Sequence, residues 1–183
     1  MSDTPAPNPD AAWTRSLGEA LRSQRPGGTS WRITLIDGPN MSNLGAGGRD
    51  PRTYGVMTSL SVLQGGIVAM GEGLGLAMSA FYSNREGDIV AHIYDTAHAV
   101  DAFLINPAAM TRFGAPCRIA LADVRRPFIE MHFANVAALG WKGGITTPVA
   151  TGVVMGFRHY SYVAALFGIA CALDSGEAKA LSS

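Results

Sequence analysis

The apolar residues of this chain fall in short, dense runs rather than along one face of long helices. Five such runs, Arg32–Ile36, Ala77–Tyr82, Ala102–Ile105, Pro127–Met131 and Ala150–Met155, predict β-strands. Short apolar runs are the form taken by strands covered on both faces of a parallel sheet. Between them lie stretches that read as helices, at about Met57–Met70, Glu86–Ala99, Pro116–Val124 and His159–Leu173. Strands and helices alternating with crossovers of this size predict an α/β domain, a parallel sheet covered by helices on both faces. In such folds ligands sit beyond the carboxyl ends of the strands.

The ends of the chain read differently. Residues 1–10, "MSDTPAPNPD", are polar and proline-rich and are expected to be disordered. Trp13, Leu17 and Leu21 recur at i, i+4 and i+8, which predicts a short amphipathic helix over Ala11–Gln24, ended by "RPGG". The expected organisation is an N-terminal arm over residues 1–30, one domain over 31–175 and a tail over 176–183. The arm either docks on a neighbouring surface or hangs free.

Composition adds an expectation of assembly. Only 15% of the 183 residues are charged, while glycine occurs 22 times. So few charges with so many small residues suggest surface buried between subunits, hence a homo-oligomer. Acids and bases balance at 14 each, which gives no reason to propose nucleic acid or an anionic membrane as partner. No apolar run approaches a membrane span, and the opening residues lack the basic and apolar regions of a secretory signal, so a cytoplasmic location is expected. Cys117 and Cys171 lack metal-site spacing and read as small buried residues.

The candidate chemistry lies at the strand ends. "LIDGPNMSNLG" (Leu35–Gly45) runs from the first strand into "AGGRDPRTYG", a long polar connection of the kind that often serves as an active-site lid. It supplies Asn40, Arg49 and Tyr54. A free tyrosine ionises near pH ~10, and a guanidinium close by favours the phenolate, which can act as a base. The third strand leads to Asn106 and Arg112, and the fourth, "FIEMHFAN", carries Glu130 and His132. Two apart on a strand, these side chains share a face, and a carboxylate bonded to an imidazole fixes its tautomer and suits it to general-acid work. By spacing alone, Glu130–His132 also fits a surface pair, and Tyr54 a residue that packs the loop down. "GAGG" and "GEGLG" make neither a Walker loop nor a dinucleotide fingerprint. His92 and His98 fall on different helix faces, so no metal and no cofactor is expected.

These segments together resemble the type II 3-dehydroquinate dehydratases. "LIDGPNMSNLG" is similar to that family's I-N-G-P-N-L-N-L-L-G, and "GRDPRTYG" to T-R-E-P-x-x-Y-G with two residues inserted ahead of Arg49. "YSNREGDIVAHIYDTAHAVDAFLINPAAMTR" follows Q-S-N-H-E-G-x-L-I … I-N-P-G-A-Y-T-H. "FIEMHFAN" matches V-x-E-V-H-L-S-N, and "TPVATGVVMGF" matches S-P-V-A-x-G-V-I-x-G-L. The resemblance spans about Arg32 to Leu173. It implies a flavodoxin-like fold, a three-layer sandwich around five parallel strands, with trimers assembled into a dodecamer. It further implies Tyr54 as the base that takes a proton alpha to a ketone, Arg49 as the group that favours its phenolate, and Asn40 as an enolate stabiliser acting through a water. His132, oriented by Glu130, would protonate the departing hydroxyl.

Several substrate-binding positions depart from the family pattern. Arg112 stands at the T-H-T-S histidine that contacts substrate hydroxyls. Ile119 stands at the aspartate that reaches a neighbouring subunit's substrate, and Ala134, after Phe133, at a serine that binds the carboxylate. The arginine-bearing segment beyond is replaced by "AALGWKGGITT", with Lys142 its one cation, while Asn106 is retained. Ile119, Trp141, Phe113 and Met41 would make the pocket more apolar, and Arg112 could anchor a carboxylate. The acid–base set is thus complete while the hydroxyl-binding set is not. From sequence, the leading expectation is a dehydroquinase-like hydro-lyase acting on a small cyclic ketone or ketoacid less hydroxylated than 3-dehydroquinate. One alternative is a genuine 3-dehydroquinate dehydratase, and a second is a non-catalytic binding protein on the same fold.

Overall fold

The computed structural model describes residues 11–55, 58–140 and 142–179, so the expectations for residues 1–10, Met57, Trp141 and residues 180–183 lie outside it. Its centre is one sheet of five parallel strands in the order β2-β1-β3-β4-β5. These are β1 (Arg32–Asp37), β2 (Ala77–Tyr82), β3 (Ala102–Asn106), β4 (Phe128–His132) and β5 (Gly152–Met155). Pairing sets Leu35 beside Ala80 on one side and Leu104 on the other, and Glu130 beside Ile105 and Val153.

Period-two alternation divides the strand residues between two cores. Ile33, Leu35, Ala102 and Leu104 pack with α3 (Leu60–Gly73) and α6 (Tyr160–Asp174). Ile36, Phe103, Ile105 and Phe128 pack with α4 (Glu86–Thr96) and α5 (Ala115–Asp123). The result is the three-layer α/β sandwich expected from the pattern. Every buried position of β3 is apolar until its last residue, Asn106, which points the strand's end at polar business. The strand β2 differs from the sequence expectation of burial on both faces. At the edge of the sheet it leaves Ser79, Ala80 and Tyr82 exposed.

The N-terminal helix α1 (Ala11–Arg22) lies against α3, with Thr14 buried and Leu17 and Leu21 on the α3/α6 core. A Cβ at Gly18 would run into the Met70 carbonyl of α3, so the two helices approach at a point where only glycine fits. The arm is then tied to the far end of the chain. Arg25 donates to both carboxylate oxygens of Asp174 at 2.8 Å, and Trp31 Nε1 donates to Asp174 Oδ1 at 2.8 Å. Burial raises the Asp174 carboxyl, but the bonds and charge of Arg25, with Trp31, outweigh it and hold it below the usual carboxylate range. Both cysteines are free thiols.

Candidate active site

The strand order reverses direction between β1 and β3, and the loops that follow these strands part there to leave a crevice. Asn40 follows β1, Asn106 ends β3 and His132 ends β4, so three strands deliver polar side chains to one rim. All three line a cavity of about 330 Å³, together with Arg49 and Tyr54. Met41, Phe133, Ala134, Val136 and Leu139 form its apolar walls.

Arg49 and Tyr54 reach the cavity because the loop after β1 is not structureless. A short 3₁₀ turn covers Met41–Asn43, and a single helical turn, α2 (Pro51–Tyr54), ends at the tyrosine. Asp50 starts that turn, accepting from Arg52 N at 3.0 Å through its side chain and from Tyr54 N at 3.0 Å through its carbonyl. The Arg49 guanidinium carbon then lies 5.7 Å from the Tyr54 ring centroid, and Arg49 Nη2 donates to the Asn40 carbonyl at 2.6 Å. Asn40 itself sits at φ 71°, a left-handed conformation that asparagine tolerates better than most residues. Its N–H donates to Asn84 Oδ1 at 2.9 Å, pinning the base of this loop to the chain after β2.

The other catalytic candidates sit deeper. His132 Nε2 lies 2.6 Å from Glu130 Oε1, and both residues are buried, so they are not a surface pair. Thr146 donates to Glu130 Oε2 at 2.5 Å, and the Thr147 hydroxyl lies 2.9 and 3.0 Å from the two carboxylate oxygens. Burial would raise the Glu130 carboxyl, but the bonds from His132, Thr146 and Thr147 with the imidazole charge outweigh it and hold it below the usual range. A Cβ on Gly144 would come within 2.5 Å of Glu130 Oε1, so the 137–147 segment needs glycine to close over the carboxylate. With Nε2 committed to Glu130, Nδ1 is the ring nitrogen left to a ligand.

The substrate-binding candidates divide. Asn106, Phe133 and Ala134 line the cavity, and so does Met41. Arg112 and Lys142 line a neighbouring depression of about 360 Å³, which meets the cavity at Thr111. Ile119 is exposed on α5 and Phe113 is 77% exposed, so neither makes this chain's own cavity apolar, as the sequence had suggested. Helix α5 turns Ala120 and Leu121 to the core and leaves Ile119 on its outer face. A position reaching a neighbouring subunit's site would have to lie outward in this way.

Sequence reasoning missed a buried chain behind Asn106. Asn106 Nδ2 donates to the Tyr162 hydroxyl at 2.6 Å, and Tyr162 donates to Asp37 Oδ1 at 2.5 Å. Gln64 Nε2 donates to Asp37 Oδ2 at 2.8 Å. The available signal was Asp37 itself, which stands where the quoted I-N-G-P-N motif carries asparagine. Among the described residues, no group of three His, Cys, Asp or Glu side chains could hold a metal ion. Nor is any of their helices long and apolar enough to cross a membrane.

A loop that sets an arginine over a tyrosine, with His132 lining the same cavity and its buried partner Glu130 behind it, makes a candidate acid–base site on an α/β fold. The comparisons then give the family. Residues 31–170 match the model of dehydroquinase class II, and the chain belongs to that family, a group of carbon–oxygen lyases. It is 39% identical over 140 residues to a catabolic 3-dehydroquinase of Aspergillus clavatus, covering 75% of this chain and 91% of the relative. It is 31% identical over 140 residues to a 3-dehydroquinate dehydratase of Bacillus cereus, covering 75% and 94%. The type II dehydroquinase structure from Propionibacterium acnes superposes with a TM-score of 0.70 at 28% identity, over 79% of this chain and 99% of that one.

Proposed function

We propose that this chain is a 3-dehydroquinate dehydratase, removing water from 3-dehydroquinate through an enolate. The observation that carries the reading is the meeting of Arg49 and Tyr54 with His132, which Glu130 backs from behind, around one cavity. Tyr54, as phenolate beside the Arg49 guanidinium, takes a proton from the carbon alpha to the ketone. The electron pair moves to the carbonyl oxygen, and a water held by Asn40 donates to that enolate. As the enolate collapses, the C–O bond of the beta hydroxyl breaks. His132 protonates the departing oxygen, leaving a conjugated enone and water. Glu130 holds the imidazole in one tautomer and stabilises its protonated form. Asn106 and the backbone beyond His132, at Phe133 and Ala134, would hold the ring, and Arg112, Lys142 and a neighbouring subunit's Ile119 would shape its surroundings. The proposed assembly is a homo-oligomer built of trimers into a dodecamer, supported by exposed Phe157, Tyr160 and Leu139.

This choice of substrate corrects the order suggested by sequence alone, in which a less hydroxylated ketoacid led. Relatives covering three quarters of the chain at 31–39% identity carry dehydroquinase names, which favours 3-dehydroquinate. The less hydroxylated ketoacid retains one observation in its favour: the cavity's apolar walls, with Arg112 and Lys142 set outside it. A non-catalytic role predicts Tyr54 apart from Arg49, and the 5.7 Å contact argues against it. The test is to follow enone formation from 3-dehydroquinate by ultraviolet absorbance. Turnover supports the proposal. A folded protein that leaves 3-dehydroquinate unchanged, yet exchanges the alpha proton of a less hydroxylated cyclic ketoacid, would favour the other substrate.

A further inference from the structure

The buried chain that ends on Asn106 has a direction, and one residue sets it. Asp37 is fully buried at the end of β1 and takes part in none of the ion pairs among the described residues. Its carboxylate is held by two neutral donors, Gln64 from α3 and Tyr162 from α6. A carboxylate can only accept. The Tyr162 proton must therefore point at Asp37, which leaves the Tyr162 oxygen to accept from Asn106 Nδ2. The far end agrees independently, because Ala108 N donates to Asn106 Oδ1 at 3.0 Å. Both faces of the amide are thus assigned, and Asn106 can present itself to the cavity in one orientation only.

We propose that Asp37 is a positioning residue of the site: acting through the Tyr162 hydroxyl, its carboxylate orients the Asn106 amide at the cavity wall. A neutral carboxyl would remove the constraint, because it can donate to Tyr162 and free the phenol proton to point elsewhere. The reversed chain would present a donor to Asn106, and turning the amide to accept it would set Nδ2 against the Ala108 N–H. Gln64 resists a rearrangement on the other side, since its Nε2 also donates to the Phe81 carbonyl at 3.2 Å. The groups facing Asp37 are few. Tyr162 is the titratable one, Gln64 and Asn106 are neutral amides, and the Arg49 charge from the lid acts on Tyr162. Burial pushes the Asp37 carboxyl up to about 6, against the smaller opposing effect of the bonds from Tyr162 and Gln64. The constraint therefore relaxes in mildly acidic solution.

The role of Asn106 in binding rests on the proposed dehydratase reading, so the test has an arm that needs no turnover. In protein selectively labelled with ¹⁵N-asparagine, the Asn106 side-chain amide resonance, assigned by its absence from Asn106→Ser, should shift with a midpoint near pH 6. The shift should vanish in Asp37→Asn. In the second arm, the KM for 3-dehydroquinate should rise as pH falls through that range in the wild type. It should lose that ionisation in Asp37→Asn while kcat holds. Tyr162→Phe, which cuts the chain, should raise KM by about 10-fold, the loss of one hydrogen bond's worth of binding. An Asn106 resonance that titrates identically in Asp37→Asn overturns the proposal, whatever the turnover. A wild type without turnover overturns the dehydratase reading and leaves the resonance to decide the role of Asp37.

Discussion

Replacing Asp37 with asparagine removes a buried charge while keeping the shape of the side chain. The size of the effect follows from burial. The carboxyl's ordinary value of 3.8 is pushed up to about 6, chiefly by desolvation. Between those values the folded protein holds a proton that the unfolded chain has released, so stability falls as pH rises through the window. Above about pH 6 both states are ionised and this group adds no further slope. The difference, at 1.36 kcal/mol for each pH unit, amounts to about 3 kcal/mol lost in full as pH rises from below the unfolded value to well above the folded one. In Asp37→Asn the loss disappears. The amide must also face Gln64, which would turn and give up its bond to the Phe81 carbonyl, worth about 1 kcal/mol. The variant should therefore be more stable than the wild type by about 2 kcal/mol at pH 8 and less stable by up to about 1 kcal/mol at low pH, the two curves crossing between. Urea unfolding followed by circular dichroism, at fixed protein concentration from pH 4 to pH 8, reads both curves. Parallel curves for the two proteins would refute the reasoning.

Other parts of the account predict effects of different kinds. Glu130→Gln keeps the threonine donors but takes the charge from beside His132, and kcat should fall by about 10²-fold with little change in KM, measured by steady-state kinetics. Gly144→Ala places a methyl against Glu130 Oε1 and should lower kcat without unfolding the domain, as read by kinetics beside circular dichroism. Arg25→Leu leaves Asp174 buried without its cation and should cost about 3–5 kcal/mol of stability, seen as a lowered unfolding midpoint.

Most of the fold was legible because its elements obey local rules. Each strand boundary falls within two residues of where its apolar run starts and stops, even though Thr34, Ser79 and Glu130 interrupt the runs of β1, β2 and β4. Helix α3 begins at Leu60 rather than Met57, because Ser59 accepts from Val62 N at 3.4 Å and caps it there. The turn α2 carries too few residues for any periodicity, yet it sets the place of Tyr54. The acid–base candidates were legible through their motifs. Their supports were not: Thr146 and Thr147 lie 16 and 17 residues from Glu130, and Tyr162 lies 125 from Asp37. Contacts at such separations are made by the topology, which brings the start of α6 beneath the end of β1. No spacing along the chain announces them.

In the proposed reaction Tyr54 takes the alpha proton of 3-dehydroquinate under the influence of Arg49. The most direct measurement compares 3-dehydroquinate turnover by the wild type and by Tyr54→Phe, at matched concentration and matched oligomeric mass. Enone should form with the wild type and be lost in the variant, with fold and assembly unchanged. Full turnover by Tyr54→Phe would contradict it.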